Sequence, residues 1–165
     1  MNTERWLPWT LVVVRVAMAL FFLNEARSQL ANGWIGGDGL MMTLRGSLDS
    51  HDTVSFYRPL LDHVVLPRAG FFTVLVILGE IGVGAGLLLG AMTRLTCAAG
   101  LFMNINFLLM NGTNGGFTDA LFIVLELALI LFAARQPVSI DKVLAERGVA
   151  NVWLSGRVAA SKAAI

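Results

Sequence analysis

Charge is scarce in this 165-residue chain: 14% of its residues are Asp, Glu, Lys or Arg, against about 25% in an average globular protein. Hydrophobic residues make up 56%, and the mean hydropathy is +0.73. A water-soluble fold needs more polar surface than this composition supplies. The 12 basic and 11 acidic side chains nearly cancel and nowhere cluster, which excludes a nucleic-acid partner. Cysteine occurs once, at Cys97, so the chain has no internal disulfide, no CxxC redox pair and no cysteine-held iron-sulfur cluster. Set among Thr96, Ala98, Ala99 and Gly100, Cys97 reads as a small packing residue. The two histidines, His51 and His63, have no third ligand at metal spacing and read as surface residues. There is no metal, haem or flavin motif, no phosphate loop, no Rossmann fingerprint and no nucleophile motif.

What the chain has instead is apolar runs of membrane length. Four spans are expected, each of about 20 residues as a hydrocarbon core of roughly 30 Å requires: Leu7 to Leu30, Arg68 to Ala91 starting just after Pro67, Arg94 to Met110, and Phe117 to Ala134. Arg15 and the apolar residues continuing to Leu23 argue against reading the first as a cleaved signal peptide, despite Ala17-Met18-Ala19. Short turns at Gly90 to Thr93 and Asn111 to Gly116 make the last three spans antiparallel neighbours. The fold class is therefore all-α, an integral membrane four-helix bundle. Arg5, Arg94, Arg135, Lys142, Arg147, Arg157 and Lys162 fall on one side, and Arg45, Arg58 and Arg68 on the other, so both termini are expected in the cytoplasm. Trp6, Trp9 and Trp153 then flank the inner face, and Trp34 and Tyr57 the outer one. The membrane domain covers residues 1–136. Its long outer loop, about 31–67, opens on a Gly36–Gly39 turn and carries a short interfacial helix through Leu60, Leu61, Val64 and Val65. Residues 137–165 form a cytoplasmic amphipathic tail, with Ser139 as helix cap, Ile140, Val143 and Leu144 as its apolar stripe, and Gly148 as its stop.

Within the spans a few polar residues stand alone. Glu80 interrupts an uncharged stretch running from Ala69 to Thr93. Counting about 1.5 Å per helical residue puts Arg15, Glu80, Asn104 and Glu126 at similar depths, one on each helix. An isolated charge near the bilayer centre costs about 2.5–3.5 kcal/mol even on lenient scales, so these groups should face inward and meet. Arg15 between Glu80 and Glu126 reads either as a structural ion pair or as a polar site for a carbonyl or hydroxyl headgroup, the second acid serving as a proton relay. Gly82, Gly86 and Gly90 recur at four-residue steps as a helix-packing stripe.

The segments VRVAMALFFLNEARSQL (14–30) and LGEIGVGAGLLLGAMTRLTCAAGLFMNINFLL (78–109) resemble the DoxX/DoxD family, DoxD being the membrane subunit of thiosulfate:quinone oxidoreductase. The similarity is strongest at Arg15, Phe22, Glu80, Gly86, Leu89-Gly90, Thr93-Arg94, Gly100, Met103 and Phe107, and covers about Leu7 to Arg135. Where family members commonly carry a lysine near the outer end of span 1, this chain has Glu25-Ala26-Arg27. The resemblance implies a multi-pass protein of the prokaryotic cytoplasmic membrane that passes electrons from a reduced sulfur compound to quinone and works with a separate soluble partner. On that reading Arg15, Glu80 and Glu126 are catalytic; Arg15, Glu80 and Asn104 hold quinone; Arg27 and Arg45 receive an anionic substrate. Two alternatives stand beside it: a non-catalytic accessory subunit of a larger respiratory or photosynthetic membrane complex, and a small proton-coupled transporter.

Overall fold

In the computed structural model, which describes residues 3–133 and 136–147, every regular element is helical. α1 (Thr3–Ala31) begins a turn earlier than expected, leaving Pro8 inside it, and packs along α4 (Ala69–Leu89). α5 (Thr93–Gly115) packs along α6 (Phe117–Leu131), and α4 against α5 joins the two pairs. The pairs are antiparallel: Gln29 meets Glu80 while Ala19 and Leu23 meet Gly84, and Asn111 meets Asp119 while Asn104 meets Glu126.

Among the described residues, three helical stretches are long and apolar enough to cross a membrane: Trp6–Ala31, Arg58–Leu89 and Thr93–Gly112. The expected fourth span is a 15-residue helix, α6. At about 1.5 Å per residue it covers roughly 22 Å. Ala134 and Arg135, taken to close that span, lie outside the described residues, as do Gly148, Trp153, Arg157 and Lys162. Solvation is inverted relative to a water-soluble bundle. Val13, Leu20, Phe71, Leu78, Phe102, Val124 and Leu131 face outward, while Arg15, Gln29, Glu80, Asn104 and Glu126 are buried. Lipid tails account for that arrangement, because in hydrocarbon the polar side chains are the ones that must find partners inside.

The outer loop is more ordered than its composition suggested. It contains α2 (Gly39–Asp49), which the sequence reading missed, packed on α4 and α5. The expected interfacial helix exists as α3 (Arg58–Leu60) with a π-helical turn (Leu61–Val65) and a 3-10 turn (Leu66–Arg68), but it does not lie apart on the surface: it runs straight into α4. Pro67 has no amide to donate. The ladder passes it by stepping from Leu66 N–H to Leu61 O, five residues back, to Ala69 N–H to Leu66 O, three back. Tyr57, expected in the headgroup belt, is instead buried with Leu40, Leu44, Leu61 and Met110 in an outer core. A separate inner core joins Met18, Phe22, Val83, Leu87, Cys97, Phe122 and Leu129, and makes Cys97 the packing residue it was read as.

Gly112 (φ 56°, ψ −138°) breaks the path of α5 where the α2–α3 connection crosses it. Val54 N–H donates to Leu109 O at 3.0 Å and Thr53 Oγ1 to Met110 O at 3.0 Å, so the connection takes up carbonyls the break leaves open. A Cβ on Gly112 would overlap the Asp52 carbonyl oxygen, in a backbone conformation that L side chains rarely adopt. Gly112→Ala is therefore expected to destabilise the protein by about 2–3 kcal/mol, read as a lower thermal midpoint in detergent. An unchanged midpoint would contradict this placement of the connection.

Candidate functional site

The interior polar groups divide into two levels. At the mid-bundle level α1 and α4 contribute Gln29 and Glu80, and α5 and α6 contribute Asn104 and Glu126. Gln29 Nε2 donates to Glu80 Oε1 at 2.9 Å, and Asn104 Nδ2 donates to Glu126 Oε1 at 2.9 Å. Glu80 is 4% exposed and Glu126 0%. The second oxygen of each carboxyl, Oε2, has no hydrogen-bond partner among the described residues. Gly100 makes room for Glu126: a Cβ there would collide with the carboxyl and press on Val83.

Arg15 does not join them. It is 2% exposed, yet its guanidinium lies at the other level, donating through Nη1 to Gln136 Oε1 and through Nη2 to Val138 O at 3.0 Å, beside Gly90 at the end of α4. Gly90 is ten residues from Glu80, about 15 Å along a helix axis. The expected pairing of Arg15 with the acids fails because of helix register: with Ala19 and Leu23 against Gly84 in an antiparallel pair, Arg15 falls opposite Gly90, and Glu80 falls opposite the outer end of α1. The ion pairs among the described residues are the exposed Asp62–His63 and Lys142–Glu146. Cys97 lies between the levels, within electrostatic reach of both Arg15 and Glu126.

The segment from Gln136 to α7 (Ile140–Glu146) closes the inner level. Ser139 caps α7 as expected, accepting from Lys142 N–H at 3.1 Å. The packed face is not the Ile140, Val143 and Leu144 stripe, which is exposed; it is Asp141 and Ala145. Asp141 accepts from Met92 N–H (2.7 Å), Thr93 N–H (2.8 Å) and Thr93 Oγ1 (2.6 Å), so a carboxylate from one element caps the first turn of α5.

Of the expected glycine stripe, Gly86 packs on Thr96, and Gly90 closes α4 in the left-handed conformation against Arg15 and Ser139. Gly82 is exposed, and a Cβ there would meet nothing within 4 Å among the described residues. Four-residue steps rotate by about 40° around a helix, and the close approach to α1 is made instead by Gly84, against Leu23 and the Ala19 carbonyl.

The outer layer holds two clefts on opposite sides of one wall. α2 and the Arg58–Leu66 stretch present Arg45, Asp49, Arg58, Asp62 and His63 to a polar cleft of about 550 Å³. The same elements present Leu44, Tyr57, Leu61 and Val65 to an apolar cleft of about 320 Å³, whose far wall is Val76, Met103, Asn106 and Phe107 of α4 and α5. Tyr57 Oη donates to Asn106 Oδ1, and burial pushes its phenol above the ordinary tyrosine value. Arg58 is held by the Leu48 carbonyl at 2.8 Å. Arg45 lines the polar cleft with Arg58, whereas Arg27 is exposed on α1 and lines neither cleft.

Gln29 continues a buried stripe of α1 through Arg15, Phe22 and Ala26, and that spacing was the signal that could have found it. Nothing local in the sequence marks Gln136 or Asp141, whose partners are more than forty residues away.

A family model described as TQO small subunit DoxD matches residues 9–159, nearly the whole chain, and the chain belongs to that family. With its apolar helices of spanning length it is a membrane protein, and the small subunit of its family's description belongs to a larger complex. No curated protein and no solved structure matches it.

Proposed function

We propose that this member of the DoxD family is the membrane subunit of a quinone-linked oxidoreductase, through which electrons from a reduced sulfur compound reach quinone. The observation that carries this reading is the pair of buried carboxyls, Glu80 and Glu126, each held through one oxygen by an amide and each with its other oxygen unpartnered among the described residues. An acid kept inside a membrane bundle without a neighbouring cation is costly and is characteristic of proton handling. A bound quinone supplies an electron acceptor that takes up two electrons and two protons. Glu80 and Glu126 take up and release those protons. Gln29 and Asn104 hold the carboxyls in place, leaving Oε2 of each as the site of exchange. Through its bond to Glu126, Asn104 is a partner of the site. Arg15, at the other level, positions the inner segment and takes no part in proton transfer.

Four crossings, α6 being the fourth, with both termini in the cytoplasm of a prokaryote, complete this reading. The excess of Arg and Lys on the side of the termini, seven against Arg45, Arg58 and Arg68, supports that orientation. A soluble partner brings the sulfur compound to the outer arginines Arg45 and Arg58. A second reading, an accessory subunit without chemistry of its own, is favoured by Gly82, an exposed small residue of the kind that lets a helix of another subunit approach.

Mild-detergent purification followed by solvent extraction and mass spectrometry separates the two. The oxidoreductase subunit is expected to carry stoichiometric quinone. Quinone no more abundant than on an unrelated protein from the same membranes, together with a stable larger assembly, would favour the accessory reading instead.

A further inference from the structure

The apolar cleft has the chemistry of a particular kind of ligand. Its walls are Leu, Val, Phe and Met side chains except at one place, where Tyr57 Oη donates to Asn106 Oδ1. Its rim residues Leu60, Val64, Leu75 and Phe102 are exposed on the outer surface of helices that otherwise face lipid, so the cleft opens sideways toward the hydrocarbon. Its volume, about 320 Å³, lies at the lower end of the roughly 300–1,000 Å³ range of small-molecule pockets. That suits one substituted ring with the start of an aliphatic tail.

The polar pair narrows the class further. Asn106 Nδ2 is committed to the Phe102 carbonyl at 2.6 Å, which fixes the amide and leaves Oδ1 toward Tyr57. A phenol hydroxyl can turn its proton toward a ring carbonyl or accept from a ring hydroxyl, so one group recognises both redox forms of the same ring. Glu80 lies one helical turn inward of Val76, a lining residue, and Gly79 touches the lining residue Met103. The cleft therefore adjoins Glu80 at its inner end.

We propose that the cleft between the α2–α3 layer and helices α4 and α5 seats the ring of a quinone-type amphiphile, with the Tyr57 phenol as its hydrogen-bonding group and Asn106 as the residue that positions the phenol. This rests on the quinone-linked reading and names its site. The shared chemistry, an apolar tail with an oxygen-bearing head, is also that of a phospholipid.

The test is photolabelling of the complete protein in membranes with an azido-substituted short-chain quinone. Competitors are decyl-quinone or phosphatidylglycerol, labelled peptides are mapped by mass spectrometry, and binding is titrated in Tyr57→Phe and in Leu61→Trp, which fills the cleft. The expected result is label in residues 57–66 or 102–110, displaced by decyl-quinone and not by the phospholipid. Apparent affinity should weaken about tenfold in Tyr57→Phe, equivalent to about 1.4 kcal/mol, and label should be lost in Leu61→Trp with the thermal midpoint retained. Displaceable label confined to α6 peptides would overturn the cleft and leave the quinone-linked function standing. Equal displacement by phosphatidylglycerol would make the cleft a lipid seat and overturn the assignment. Absence of any displaceable label would overturn both.

Discussion

Glutamine at position 126 should lower quinone-linked turnover of the assembled complex by about 10²-fold or more, the lower bound of what positioned acid–base groups contribute, and glutamine at position 80 should do the same. The exchange is nearly isosteric. The new side-chain carbonyl can still accept from Asn104 Nδ2 in Glu126→Gln and from Gln29 Nε2 in Glu80→Gln, so the packing around Gly100 and Val83 should survive. What is lost is the ability to bind and release a proton. A structural role would be met as well by the amide as by the acid, because no cation among the described residues pairs with either carboxyl. The effect should fall on kcat with KM for quinone little changed, and helicity and yield should match the parent protein. Full turnover in both variants would remove the functional role of the acids.

A second large effect is expected at a residue with no part in the chemistry. Asp141→Ala should destabilise the protein by about 4 kcal/mol, since hydrogen bonds to a charged group contribute about 1.5–3 kcal/mol each and orphaned buried donors cost about 1–3 kcal/mol. Asp141 is 2% exposed and holds the Met92 and Thr93 amides together with the Thr93 hydroxyl. Its own amide donates to the Gly90 carbonyl at 3.1 Å, so it ties the end of α4 to the start of α5. Chemical denaturation in detergent measures the loss. Asp141→Asn, keeping one acceptor oxygen, should recover about half of it. A midpoint unchanged in Asp141→Ala would mean that this inner closure does not hold the bundle together.

Much of the membrane architecture was legible in the sequence, because helix length and apolar runs report directly on the surrounding solvent. The antiparallel order of α4, α5 and α6 followed from short connections, and the Ser139 cap from a local hydrogen-bonding preference. Depth put Asn104 and Glu126 at one level, but that they bond to each other came only from the packing of α5 on α6. Depth failed for Arg15, since the α1–α4 register, Ala19 and Leu23 against Gly84, sets it opposite Gly90 and ten residues from Glu80, and no local pattern gives that register. α2 was missed because Gly39, Thr43 and Gly46 dilute its apolar pattern, and only packing of Leu40 and Leu44 on α4 and α5 makes it worthwhile as a helix. The π-helical route past Pro67 was missed because the proline rule forbids one hydrogen bond, not the helix on either side. The Asp141 cap and the Tyr57–Asn106 pair depend on residues 48 and 49 positions apart, which no local pattern encodes.

Redox-triggered infrared difference spectroscopy of the purified complex with bound quinone tests proton exchange at Glu80 and Glu126 most directly, because the carboxylic acid C=O stretch lies clear of the amide bands. Reduction of the quinone should change intensity in that region, and Glu80→Gln and Glu126→Gln should each abolish a separate part of the change. The same difference bands in the parent protein and in both variants would show that neither carboxyl exchanges a proton with quinone.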